Sequence, residues 1–159
     1  MRDKDYPRVQ TFTVLALIPI VLVTSGCGHG GIALREDPHL VARAQQVTRD
    51  GGPPVLFREL TGGDWDRVQV FPGPPPLELL ESDIGARLDV SGTYTPYEDG
   101  GVLVFTKTDA VQRAVRLEPY PFDGDRASYG RNVLVARPHP GARSLEFIDP
   151  AALRTPRLR

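Results

Sequence analysis

The chain has 159 residues, with 19 Lys and Arg against 20 Asp and Glu and a formal net charge of −1. That balance argues against nucleic acid and against a charge-driven hold on an anionic membrane. The single cysteine, Cys27, excludes a disulfide within one copy, and 16 Gly with 16 Pro predict a loop-rich domain that still falls short of a disordered composition.

The first signal is at the N-terminus. Arg2, Lys4 and Arg8 precede an apolar run from Val14 to Val23, which gives way to Thr24, Ser25, Gly26 and Cys27. A basic head, an apolar middle and a small-residue end have the layout of a secretory signal peptide. The alternative, a retained membrane helix, needs about 20 mostly apolar residues. Here Pro19 sits within the run, and Gln10, Thr11 and Thr13 dilute its approach.

Val23-Thr24-Ser25-Gly26-Cys27 resembles a bacterial lipobox. Ser25 and Gly26 match it well, and Thr24 stands where Leu is more usual. The resemblance covers the leader and implies a lipoprotein: cleavage before Cys27, a diacylglycerol on its sulfur, and residence on the extracytoplasmic face of the cell membrane. The chemistry agrees, because a thiolate is the nucleophile for a thioether and a lone free thiol on an exported protein is otherwise unexplained. Two acyl chains, at about 0.8 kcal/mol for each buried CH₂, give stable anchoring where one does not. Arg outnumbers Lys seventeen to two, a bias that fits a GC-rich genome such as an actinobacterial one.

On this reading residues 1–26 are the lipoprotein signal peptide, 27–36 a flexible tether, 37–150 a single α+β domain, and 151–159 a basic flexible tail. Gly28, Gly30 and Gly31 make the tether costly to order. His29 beside Cys27 suggests a metal pair, but lipidation would consume the sulfur and no neighbour completes a site.

Asp37-Pro38 predicts a helix start, with Asp as N-cap and Pro at the first position. Leu40, Val41, Ala44 and Val47 form one apolar stripe, and Gly51-Gly52-Pro53-Pro54 ends it. Val55 to Leu60 is apolar but of undecided type. Asp64 to Phe71 predicts a central strand, with Val68 and Val70 on one face and Trp65 and Phe71 towards the other. Trp65 is expected in the core, given the area a tryptophan buries.

Trp65, Asp66, Val68, Val70 and Phe71, followed by Pro72 and a helix ending at Gly85, resemble a strand–loop–helix pattern of small bacterial envelope proteins. Gln69 and the loop Pro72-Gly73-Pro74-Pro75-Pro76 depart from it, and the resemblance implies no activity. The proline run is a stiff connector or a ligand for an aromatic groove. Leu77, Leu80 and Ile84 then predict a short helix stopped by Gly85.

Arg87 to Gly92 predicts a short strand. Val102–Phe105 and Val111–Leu117 predict a hairpin whose second strand has one wet face. Asp123-Gly124-Asp125 resembles a fragment of a calcium loop, yet the further carboxylates such a loop requires are missing, so a turn is expected. Asn132–Arg137 and Ser144–Asp149 complete the strands. The expected fold is α+β: a small antiparallel sheet of about 4–5 strands with two short helices packed on one face.

No G-x-S-x-G elbow, H-E-x-x-H pair, P-loop or G-x-G-x-x-G run is present, so no catalytic residue, cofactor or metal is assigned. His29, His39 and His139 fall in a tether, a helix start and a proline loop. The leading expectation is a membrane-anchored binding or assembly module for an envelope protein partner, with no nucleic acid. Its binding residues would be the loop aromatics Tyr94, Tyr97, Tyr120 and Phe122. The alternatives are an extracytoplasmic enzyme using the scattered carboxylates Asp64, Asp66, Asp123 and Asp125, and a tethered protein inhibitor.

Overall fold

The computed structural model describes residues 30–96 and 100–153; the leader, Cys27, Tyr97 and the last six residues of the tail lie outside them. Four helices and ten strands occur among the described residues. The first helix, α1 (Pro38–Asp50), begins and ends where its sequence signals stand. The Asp37 carboxylate accepts from the Leu40 N–H at 2.8 Å. Gly51, at φ 59°, takes the left-handed conformation and donates its N–H to the Val47 carbonyl at 3.1 Å.

The larger sheet has six strands: β1 (Ile32–Glu36), β3 (Arg67–Pro72), β4 (Leu88–Val90), β5 (Gly101–Lys107), β6 (Ala110–Leu117) and β8 (Ala127–Gly130). Their spatial order is β4-β1-β6-β5-β3-β8. The smaller sheet has four: β2 (Val55–Leu56), β7 (Phe122–Asp123), β9 (Leu134–Ala136) and β10 (Leu145–Ile148), in the order β2-β9-β10-β7. The content is therefore α+β, but the expected single antiparallel sheet of about 4–5 strands is corrected to two mixed sheets. β1 runs parallel to both β4 and β6, and β10 runs parallel to β7.

The expected tether over 27–36 is corrected from Ile32 onward. Ile32–Glu36 is not a linker but a strand inside the larger sheet, with Leu34 4 % exposed. Its two partners lie far along the chain, so local composition does not reveal it. The expected tail is shortened at its start, since Pro150–Leu153 forms a helical turn, α4. The undecided segment resolves into β2 followed by α2 (Phe57–Thr61).

Both faces of the larger sheet are covered, because alternate residues of its central strands point to opposite sides. Leu103 and Phe105 of β5 join Val68, Val70, Val115 and Leu117 in a core shared with α1, α2 and the smaller sheet. Val102 and Val104 join Phe71, Leu34 and Ala114 beneath Leu80 of α3 (Leu77–Ile84). The two predicted helices thus lie on opposite faces of the sheet, not on one; on the face of β6 expected to be wet, Gln112 is exposed while Ala114 is buried in the second core. Trp65 packs in the same core as Val68 and Val70, and Phe71 lies in the other.

Phe57 sits at the centre of the first core. Its ring meets Phe147 at 5.0 Å, Phe122 at 5.4 Å and Trp65 at 6.2 Å, each edge-to-face, and stacks on Phe105 at 6.4 Å. Such pairs each add about 0.5–1.5 kcal/mol beyond area burial. They join α2, the larger sheet and the smaller sheet through one side chain. Among the described residues no helix is long and apolar enough to cross a membrane.

Candidate functional site

A cluster of charged side chains lies at one end of the larger sheet. Register places Arg67 of β3 beside Thr106 of β5 on one side and Gly130 of β8 on the other. Asp64 and Asp66 precede β3 at this end. The Asp66 N–H extends the ladder by donating to the Thr106 carbonyl at 2.8 Å, and its carboxylate accepts from the Thr108 N–H at 3.0 Å. Thr108 and Asp109 form the two-residue tip of the β5–β6 hairpin, with φ of 49° and 63°. That left-handed pair gives the turn the twist a tight hairpin needs, at a steric cost that falls chiefly on Thr108, since Gly, Asn and Asp tolerate the conformation best.

Asp64 is held by two cations. One carboxylate oxygen pairs with the Lys107 ammonium, and the other stands 3.5 Å from the Arg131 guanidinium. The Lys107 hydrogen bond and charge, then the Arg131 charge, draw the Asp64 carboxyl below its ordinary value. Asp64 is therefore an anion at neutral pH and a poor proton donor. Two clefts open on either side of Gly130. One, of about 380 Å³, is lined by Asp66, Arg67, Thr108, Asp109 and Tyr129. The other, of about 390 Å³, is lined by Arg131, Asn132, Asp149 and Pro150. Partial burial, then the charges of Glu146, Asp125 and Asp149, push the Tyr129 phenol up, so it remains a neutral donor. The arrangement can orient a polar or charged ligand through paired charges and hydrogen bonds.

Three of the four aromatic residues expected to bind have partners within the domain. Phe122 is not exposed: it is 3 % accessible and packed against Phe57 and Phe147. Tyr120 lies half-buried against Phe122 at 5.6 Å, and its hydroxyl is wholly buried. Burial pushes its phenol far up. Tyr94 donates its hydroxyl to the Pro75 carbonyl at 2.6 Å and packs on the second core. Thus Tyr94 ties the proline loop to the domain, and Tyr120 and Phe122 seal the end of the aromatic core. Tyr97 and Cys27 lie outside the described residues.

Three of the four carboxylates of the enzyme alternative divide between the two sheets, and Asp125 lies in the loop between β7 and β8. Asp64 and Asp66 stand at the entrance to β3, whereas Asp123 lies in β7 and accepts from the Ser144 hydroxyl. Among the described residues no three His, Cys, Asp or Glu side chains are grouped to hold a metal ion. Sequence reasoning missed Lys107, Thr108 and Arg131, which complete the charged end. The hairpin was visible, but the pairing of Lys107 with Asp64 spans 43 positions and has no local signature.

Arg113 was missed as well. Its guanidinium lies 4.4 Å from the Phe105 ring centroid and donates to the Thr61 carbonyl at 3.2 Å. Partial burial draws its pKa down.

The fold and charged end together define a two-sheet α+β protein with polar clefts at one sheet end. No protein family, curated protein or solved structure matches the chain.

Proposed function

We propose that this chain is a bacterial envelope lipoprotein, held by lipid on Cys27 at the extracytoplasmic face of the cell membrane, whose domain is a binding or assembly module for an envelope protein. The carrying observation is the position of the sole cysteine. It follows an apolar run and small residues, and it stands five positions ahead of Ile32, where β1 enters the larger sheet. Five residues span at most about 17 Å, so the anchor would keep the domain close to the lipid headgroups.

The strand register supports an orientation. Ile32 pairs with Leu88, the first residue of β4, and Leu34 with Ala114 of β6, so β1 starts at the sheet end that carries Arg67, Lys107 and Gly130. On this proposal the charged end stands nearest the anchor. The clefts beside Gly130 would offer the partner paired charges, which set orientation and specificity more than raw affinity. The reading as a carboxylate enzyme with Asp64 as its general acid draws little support, because Lys107 and Arg131 hold that carboxyl ionised.

The test is fractionation of cells expressing Cys27→Ser. The variant should leave the membrane fraction and appear in the medium or a soluble envelope fraction. Detergent-dependent membrane association unchanged from the parent protein would overturn the anchor.

A further inference from the structure

We infer that the cleft at the C-terminal end of α1 is a binding site for a phosphate-type oxyanion. The cleft, of about 320 Å³, is lined by Gln45, Thr48, Arg49, Arg137, Ala142 and Arg143. Three guanidinium groups and no carboxylate line it. Among the described residues, none of the ion pairs uses Arg49, Arg137 or Arg143. The acid nearest in sequence, Asp50, takes both its hydrogen bonds from the Gln46 amide, at 2.8 and 2.9 Å.

Arg137 is the fixed member. Its Nη1 donates to the Thr48 carbonyl at 3.3 Å, and its Nη2 occupies the space beside Gly51 where a Cβ would stand 2.1 Å away. One donor closes the helix end, and the remaining N–H groups of the planar fork are left for a ligand. Arg49 is steadied by a 2.8 Å bond from its Nη2 to the Gln46 side-chain oxygen. Arg143, which also lines the cleft, directly follows the turn closed by the Ala142 N–H on the His139 carbonyl at 3.1 Å. It is exposed.

A helix C-terminus repels anions, with the equivalent of roughly half a negative charge. Three guanidinium charges outweigh that. A tetrahedral oxyanion with several acceptor oxygens can take bidentate bonds from more than one arginine. The ligand chemistry is therefore a phosphate or phosphate ester, whether free in solution or in a lipid headgroup. This inference does not depend on lipidation of Cys27.

The full chain in zwitterionic detergent, titrated with inorganic phosphate and followed by the arginine side-chain N–H resonances, tests it. Arg49, Arg137 and Arg143 should shift together and saturably. The double variant Arg49→Gln, Arg143→Gln removes two exposed side chains and should keep the melting temperature while weakening phosphate binding by about tenfold or more. Absence of saturable shifts, or equal affinity in the double variant, would overturn the site. Phosphatidylglycerol and phosphatidylcholine vesicles then separate the sources. Shifts of the same three resonances by phosphatidylglycerol vesicles assign an anionic headgroup, and shifts by inorganic phosphate alone assign a free phosphate.

Discussion

Gly101 makes room for the ring of Tyr120: a Cβ built on Gly101 would stand 2.2 Å from Cδ2 and 2.4 Å from Cε2 of that ring. The glycine opens β5 at the edge of the aromatic core, and the tyrosine closes over it. Gly101→Ala should therefore force the ring outward and destabilise the domain by about 1–3 kcal/mol, the usual cost of overpacking. Urea denaturation checks this. A midpoint equal to that of the parent would show that the ring is free to move.

Tyr120 carries a second consequence. Its hydroxyl is buried with no hydrogen-bond partner among the described residues. An unmet buried donor costs about 1–3 kcal/mol, so Tyr120→Phe should raise stability by about 1 kcal/mol. Burial also raises the phenol pKa in the folded state. The neutral form is then favoured by folding, so this stability is fully present below the unfolded tyrosine value of about 10 and is lost as pH rises above it. The alkaline decline of the melting temperature should be shallower in Tyr120→Phe than in the parent. An identical decline would place the alkaline sensitivity in another group.

Trp65 is 2 % exposed, and its indole N–H donates to the Thr61 hydroxyl at 3.1 Å. Thr61 in turn donates to the Phe57 carbonyl at 3.2 Å, so the indole pins α2 to the sheet. Trp65→Ala should cost about 3–5 kcal/mol. The native indole fluorescence should be blue-shifted and protected from quenchers. A variant with the parent's melting temperature would show a ring free for a ligand.

The hairpin tip stores removable strain. Thr108 and Asp109 occupy the left-handed region at some cost, partly offset by the bond from the Thr108 N–H to Asp66. The pair Thr108→Asn, Asp109→Gly suits this turn and keeps that backbone bond, so stability should rise by about 1 kcal/mol. Thermal melting measures it. A lower midpoint would mean that the Thr108 and Asp109 side chains stabilise the charged end by more than their backbone strain costs.

Elements whose signals are local were legible. Asp37, Pro38 and Gly51 mark both ends of α1 within a turn of where they act. The β5–β6 hairpin follows from two apolar runs around a short connection, and Gly85 ends α3 in the left-handed conformation expected of it. β1 was not legible. Five residues after a glycine-rich stretch have no strand signature of their own, and they become a strand because β4 and β6, far along the chain, flank them.

The candidate site divides the same way. A proline-rich loop bearing Tyr120 and Phe122 has the composition of an exposed binding loop. Phe122 is buried because Phe57 and Phe147, from α2 and β10, meet it. The charged end and the arginine cleft also needed the fold. Lys107 reaches Asp64 across 43 positions, and Arg137 reaches Thr48 across 89.

By itself, the sequence determined the α+β content, the caps of α1, the central hairpin and the burial of Trp65. These follow from capping, periodicity and side-chain area, which act within a few residues of their source or through one residue's own size. The tertiary structure alone decided that there are two sheets, that α1 and α3 take opposite faces, that the loop aromatics close a core, and that arginines gather at the end of α1. Those outcomes depend on contacts between distant segments, whose closure no local pattern encodes.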